Sequence, residues 1–279
     1  MDMTRRSFVE LAAMSATASI APALDASAFP TRGSERPNIL FMLGDDHRAD
    51  VLGCMGNAII QSPELDRLAR EGVLFERHFC PTPICCTPRA SIMLGQYGSN
   101  GEHGFAGKWY AHEESIHIPL IVYDPRQPAT LRGKRLHSTT LTIDLHPTLL
   151  ELGGVSIPTG TQGRSLVPKL KSEEEPPARE VFFIEHHFPD QGFIPSSEAI
   201  RTNRWKYIRY TDNAAPYEEL YDLQTDRHEV HNLARSSQHA RQFKTMQQYC
   251  TRWKQSFTSE GSHWTEPVTQ TELQRDGLI

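Results

Sequence analysis

Positive charge is not in excess in this sequence: 29 basic side chains face 34 acidic ones over 279 residues, a formal charge of −5 at pH 7. A strongly basic nucleic-acid reader is thereby excluded. Low-complexity sequence is scarce as well, since 19 Pro and 18 Gly make up about 13% of the chain, near ordinary usage. Disorder is not the default, and no internal repeat is present. Long apolar runs are also missing. Even the N-terminal one, Leu11 to Leu24, is broken by Ser, Thr and Pro and falls below the ~20 residues that a membrane span needs. What remains is a lean globular chain, 38% hydrophobic, long enough for one α/β domain or two small ones.

Thr4-Arg5-Arg6-Ser7-Phe8-Val9 precedes that weak apolar run, and small residues, Ala26-Ser27-Ala28, follow it. Paired arginines, a short apolar core and a small-x-small exit form the pattern of a twin-arginine signal peptide over residues 1–28. The expected carrier is the twin-arginine translocase, which moves folded proteins, and the expected destination is the periplasm or an equivalent extracytoplasmic compartment. The mature chain is then expected to begin near Phe29. Cysteine is limited to Cys54, Cys80, Cys85, Cys86 and Cys250. An odd count in an exported chain leaves at least one thiol unpaired or chemically committed.

Pro37-Asn38-Ile39-Leu40-Phe41-Met42-Leu43 is mostly apolar between turn-formers and predicts a strand buried on both faces, of the kind a parallel sheet uses. Ser62 to Gly72 predicts a helix with Ser at the N-cap, Pro in the first turn, acids early and Gly as stop. Val73-Leu74-Phe75 begins another strand, Pro119 to Tyr123 reads as a second buried one, and Ile143 to Leu152 as a helix stopped by Gly153-Gly154. Strand and helix alternate, which points to an α/β layered fold. From about Lys171 the character changes. A charged, proline-terminated linker, Lys171 to Pro177, leads into short runs at Val181–Ile184, Ala199–Arg201, Trp205–Ile208 and Glu219–Leu223, which predict a small antiparallel sheet. A last helix is expected over Ser237 to Trp253, with Phe243, Met246, Cys250 and Trp253 on one apolar side and Cys250 acting as a small buried hydrophobe.

Two clusters carry chemistry. Asp45-Asp46 follows the first predicted strand, where open α/β sheets place ligands. Adjacent carboxylates repel unless a cation sits beside them, so Ca²⁺ or Mg²⁺ fits, and a solvated acidic turn fits the dipeptide too. In Pro83-Ile84-Cys85-Cys86-Thr87-Pro88-Arg89-Ala90-Ser91 a thiol precedes an arginine by four positions and opens a helical stretch. A helix N-terminus and a guanidinium both depress a thiol pKa. A disulfide from Cys80 or Cys54, or a metal knuckle of His78, Cys80, Cys85 and Cys86, remains an alternative, although the spacing lacks a second C-x-x-C half.

These segments, in order, resemble the type I sulfatase family of the alkaline phosphatase superfamily. The resemblance runs through Arg36-Pro37-Asn38-Ile39-Leu40 to Asp45-Asp46, then Ser62 to Val73, then Cys85 to Ser91. It continues with Gly101-Glu102-His103-Gly104, Lys108, Glu113-Glu114-Ser115 and Pro119, and closes with Glu219-Leu220-Tyr221-Asp222-Leu223 and Asn232-Leu233-Ala234. It implies an alkaline-phosphatase-like α/β/α sandwich over 36–172 and a small C-terminal antiparallel-sheet subdomain over 178–279. It also implies that a maturation enzyme oxidises Cys85 to formylglycine, whose hydrate attacks the sulfur of a sulfate ester carried by a sulfated small molecule or glycan. By the same resemblance Asp45, Asp46 and the converted Cys85 ligate Ca²⁺ (or Mg²⁺), Arg89 stabilises the formylglycine, and Lys108 contacts a sulfate oxygen. Position +2 from Cys85 is Thr87, with Pro88 after it, and His117 stands where the family more often has Arg. A phosphohydrolase of the same superfamily would carry Ser or Thr where Cys85 stands. His78, His103, His112 and His117 read as ordinary polar or structural histidines.

The family's long middle segment is not found. Leu94-Gly95-Gln96-Tyr97 runs through Gly98-Ser99-Asn100 directly into Gly101-Glu102-His103-Gly104, and the position expected for a further metal-binding Asp holds Gly95. The domain is thus internally shortened near 97–101, with an incomplete central sheet. Two carboxylates and a diol make half a shell for a cation that takes six to eight oxygens. The expectation is a sulfuric ester hydrolase by descent, with the alternative of an internally deleted remnant of low stability and weak or no turnover.

Overall fold

The computed structural model describes residues 37–45, 47–83, 92, 110–187, 195–212, 217–257 and 266–279. The signal segment 1–28 lies outside them. The first regular helix, α1 (Pro63–Glu71), has Pro at its start and acids in its first turn, as its sequence dictates. Ser62 precedes it without capping it. Its hydroxyl instead donates to Asp66 Oδ1 (2.9 Å) and accepts from the Gly53 amide (2.9 Å), while Asp66 Oδ1 accepts the Cys54 amide (2.7 Å). The helix start is therefore used to tie down the loop before it. At the other end, a Cβ on Gly72 would stand 2.4 Å from the Val122 carbonyl oxygen, so only glycine lets the chain pass there.

β1 (Val73–Phe79) follows and is the centre of the first sheet. The short α2 (Glu113–Ile116) leads into β2 (His117–Val122), which pairs antiparallel to β1 from Val73↔Val122 to Phe79↔His117. β3 (Lys134–Leu136) and β4 (Thr140–Leu141) pair parallel to β1 on its other side. The predicted buried strand at 119–123 is thus real but misjudged. It is a half-buried edge strand among the described residues, which is where Pro119, lacking an N–H, can be accommodated. α3 (Leu145–Leu152) and α4 (Val167–Lys171) then pack Leu145, Leu166 and Leu170 against Val73, Phe75 and Leu136.

The predicted strand at 37–43 is not formed. Its residues belong to no sheet, and Ile39, Leu40, Phe41, Met42 and Leu43 are all exposed, Leu40 by 81%. A strand apolar on both sides is buried only when neighbouring strands and covering helices are supplied, and none stands beside it among the described residues.

The second sheet is a four-stranded antiparallel meander: β5 (Val181–His186), β6 (Ser197–Thr202), β7 (Trp205–Tyr210) and β8 (Tyr217–Asp222). Period-two alternation gives it two apolar faces. Val181, Phe183, Ile200, Tyr207 and Leu220 meet Met246, Tyr249, Cys250 and Trp253 of α5 (Ala240–Ser256), with Leu273 of α6 (Gln270–Arg275). Phe182, Ile184, Ala199, Ile208 and Tyr221 face the other way, onto Phe79, Ile116, Leu141 and Ile143. Asn38–Ile279 accordingly form one packed unit. Its junction is pinned by Arg179, which reaches Asp144 with both terminal nitrogens (2.8 and 3.0 Å), each side chain only 2% exposed. Asp144 also accepts the amides of Leu141 and Arg164, so the buried carboxylate is fully satisfied. No helix among the described residues is long and apolar enough to cross a membrane.

Candidate functional site

Of the residues singled out for catalysis and metal binding, Asp45 alone lies among the described ones; Asp46, Cys85, Arg89 and Lys108 lie outside them. Asp45 is exposed and follows the unpaired apolar segment. Among the described residues no group of three or more His, Cys, Asp or Glu is gathered to hold a metal ion. Cys54 and Cys80 form no disulfide, and the Cys80 thiol donates to the Thr82 carbonyl (2.9 Å); the knuckle with Cys85 and Cys86 lies outside the described residues. His78 is buried, its Nδ1 lies 3.0 Å from the Thr140 hydroxyl, and burial pushes its pKa down to about 3, so it stays neutral. His117 bonds through Nε2 to the Glu76 carbonyl (2.7 Å) and stacks on Phe79 (4.9 Å between ring centroids), and burial lowers its pKa too.

The downstream frame of Lys108 is described, and it enters a buried ionic cluster that the sequence reading did not foresee. Glu113 begins α2 and receives Arg201 of β6 in a two-pronged contact (2.8 and 3.0 Å). The Arg201 guanidinium also lies over the Phe79 ring, 4.5 Å from its centroid. Lys206 of β7 is completely buried, and its ammonium stands 2.7 Å from both Glu113 Oε1 and Glu229 Oε1 and donates to the Ala111 carbonyl (2.9 Å). Glu229 Oε2 in turn accepts the Glu113 amide (2.6 Å). Burial raises the Glu113 carboxyl, but Arg201 and Lys206 outweigh it and hold the group well below the usual carboxylate range. Burial opposes ionisation at Glu229 also, and Lys206 and His112 overcome it.

Two further observations complete the cluster. Glu229 has φ of +56°, the one positive value among described non-glycine residues, a conformation that costs about 1–2 kcal/mol for an L-residue. The ionic contacts of its side chain hold it there. His112 stands with Nδ1 3.5 Å from Glu229 and Nε2 3.8 Å from Glu219 of β8, and its ring meets Tyr221 edge-on. Burial keeps Glu219 raised, and Tyr210 donates to it at 3.3 Å. The cluster binds the chain just after Lys108 to the second sheet; it contains no nucleophile. The available signal for it was Lys206 itself, a lysine in the middle of the apolar run Trp205-Lys206-Tyr207-Ile208, since a buried ammonium must be paired.

Family comparisons bear on the whole arrangement. A sulfatase family model matches residues 37–106, and a model described as N-sulphoglucosamine sulphohydrolase, C-terminal, matches residues 101–256, more than half of the chain. The chain belongs to the sulfatase family. The chain is 29% identical over 151 residues to the N-acetylglucosamine-6-O-sulfatase of Bacteroides thetaiotaomicron, covering 53% of this chain and 26% of that one. To arylsulfatase K of Bos taurus it is 32% identical over 137 residues, covering 48% and 25% respectively. It thus spans about a quarter of the length of the curated relatives it matches. Among solved structures, one in complex with its substrate D-glucosamine-2-N,6-O-disulfate aligns with a TM-score of 0.48 at 26% identity, over 55% of this chain and 31% of that one. The phosphonate monoester hydrolase of Agrobacterium radiobacter aligns with 0.44 at 28%, over 53% and 31%. The two family models meet at residues 101–106, beside the point where the sequence reading places the missing middle segment.

Proposed function

We propose that this sulfatase is built on the plan of a sulfuric ester hydrolase acting on a sulfated glycan. Cys85 is the formylglycine precursor, Arg89 its stabilising partner and Lys108 the contact to a sulfate oxygen. The supporting observation is the consecutive pair of family matches over 37–256, the first of which contains Cys85 to Arg89. Formylglycine supplies a hydrated aldehyde as nucleophile. The glycan assignment rests on a relative named for N-acetylglucosamine-6-O-sulfate chemistry. Export by the twin-arginine route, guided by Arg5-Arg6, belongs to the same proposal.

For the Ca²⁺ site, Asp45 is the one proposed donor among the described residues, and it is exposed; Asp46 and Cys85 lie outside them. Such a cation takes six to eight oxygens, so the proposed site needs donors beyond these three. The exposed run Ile39–Leu43, which leads to Asp45, favours a second reading, a remnant that keeps the family's frame without turnover.

Production of the chain with a formylglycine-generating enzyme, mass spectrometry of the Cys85 peptide, and assay on a nitrophenyl sulfate with and without Ca²⁺ test both readings. Conversion of Cys85 without hydrolysis is the expected result. Metal-dependent hydrolysis overturns the remnant reading, and an unmodified thiol in a host that matures other sulfatases overturns the hydrolase plan.

A further inference from the structure

Among the described residues, the ionic cluster at the junction of the two sheets has three carboxylates, Glu113, Glu219 and Glu229, and two permanent cations in direct contact with them, Arg201 and Lys206. Arg201 is engaged by Glu113, and Lys206 lies between Glu113 and Glu229 while donating to the Ala111 carbonyl. Neither reaches Glu219. His112 is placed between the two remaining carboxylates, 3.5 Å from Glu229 and 3.8 Å from Glu219, one ring nitrogen toward each. Its side chain is 28% exposed, so its proton exchanges with solvent.

We propose that His112 is a proton-operated latch between the two sheets: protonated, it bridges Glu229 and Glu219 and holds residues 110–116 on the second sheet; neutral, it leaves Glu219 facing tyrosine hydroxyls and the junction loosens. The described groups facing His112 come from several elements. Tyr110 precedes it, Glu113 and Glu114 follow it on α2, and Glu114 is engaged by His228 at 3.7 Å. β7 contributes Lys206, β8 contributes Glu219 and Tyr221, and the loop after β8 contributes Glu229. Among the described residues Lys206 opposes protonation, and the two glutamates outweigh it, so the His112 pKa is raised, chiefly by its hydrogen bond to Glu229.

The strained backbone of Glu229 marks the part of the latch with the most to release. Its left-handed conformation is supported by the same contacts that His112 completes, and its neighbours Val230 and His231 are held separately by Asp226 (3.1 and 2.7 Å). The sign of the linkage follows from the raised pKa. The latch contributes fully below the unfolded histidine value of 6.5 and is lost as pH rises through the folded value. The inference concerns the junction alone and stands whether or not the chain turns over.

Hydrogen exchange of the full chain across pH 5.5 to 9, corrected for intrinsic rates, tests it. Peptides covering 110–116 and 217–231 are expected to lose protection with a midpoint above 6.5, by up to about tenfold per pH unit beyond it, while α5 keeps its protection. In His112→Gln that dependence is expected to vanish, and in Glu219→Gln its midpoint is expected to fall. A wild-type pH dependence retained in His112→Gln, or an unmoved midpoint in Glu219→Gln, overturns the proposal. If His112→Gln does not fold, the midpoint in Glu219→Gln decides alone.

Discussion

Ile39–Leu43 and Val181–Ile184 are two short apolar runs of similar make-up, and they end in opposite environments. The first lies open to solvent with no strand beside it among the described residues, and the second is buried on both faces. Intrinsic strand preference does not separate them. What separates them is supply: β5 has β6 along its edge, α5 over one face and the β1 end of the first sheet over the other. The first run has a sequence that needs the same enclosure, and no strand or helix supplies it among the described residues. Burial is a property of neighbours, so an apolar run is enclosed only where other elements are brought to it.

Four measurements sharpen or break this contrast. Arg179→Met leaves Asp144 buried without its cation and is expected to cost about 3–5 kcal/mol in urea unfolding; a loss below 1 kcal/mol would mean the junction does not bind the two sheets together. Acid is expected to come next. Glu113 and Glu229 both have lowered pKa values, so their contribution is present above the unfolded value of 4.5 and is lost as pH falls below it. Thermal unfolding should show that midpoint moving upward in pH when Lys206 is replaced by Met. Ile184→Val, inside the enclosed run, is expected to cost about 1 kcal/mol. Leu40→Ser, in the open run, should change stability by less than about 0.5 kcal/mol while raising solubility, read by light scattering. A larger loss from Leu40→Ser than from Ile184→Val would invert the comparison.

The sequence was most readable where structure is local. Pro63, the early acids and Gly72 mark α1, and the spacing of Met246, Cys250 and Trp253 marks the buried side of α5. The meander followed from four short runs in succession. Two strand expectations failed for one reason: apolar character alone does not say whether a strand will be central, at an edge, or unpaired. The site was legible as a motif and not as an arrangement. Glu113 was recognised as part of the frame of Lys108, but its partner Arg201 lies 88 positions away, and no periodicity connects them. His112 and Glu219 were each read singly, as a polar histidine and as a strand residue, because only tertiary contact brings them together.

The meander has one more consequence, for the order of assembly. Its strands are neighbours along the chain as well as across the sheet, so its ladder closes through short connections at low entropic expense. The segments that seal its two faces, around Ile116–Ile143 and Met246–Leu273, arrive from either side of it in sequence. The second sheet is thus placed to form first and to serve as the surface on which the rest of the molecule settles. Pulse-labelled exchange during refolding should protect the amides of β6 and β7 before those of α3.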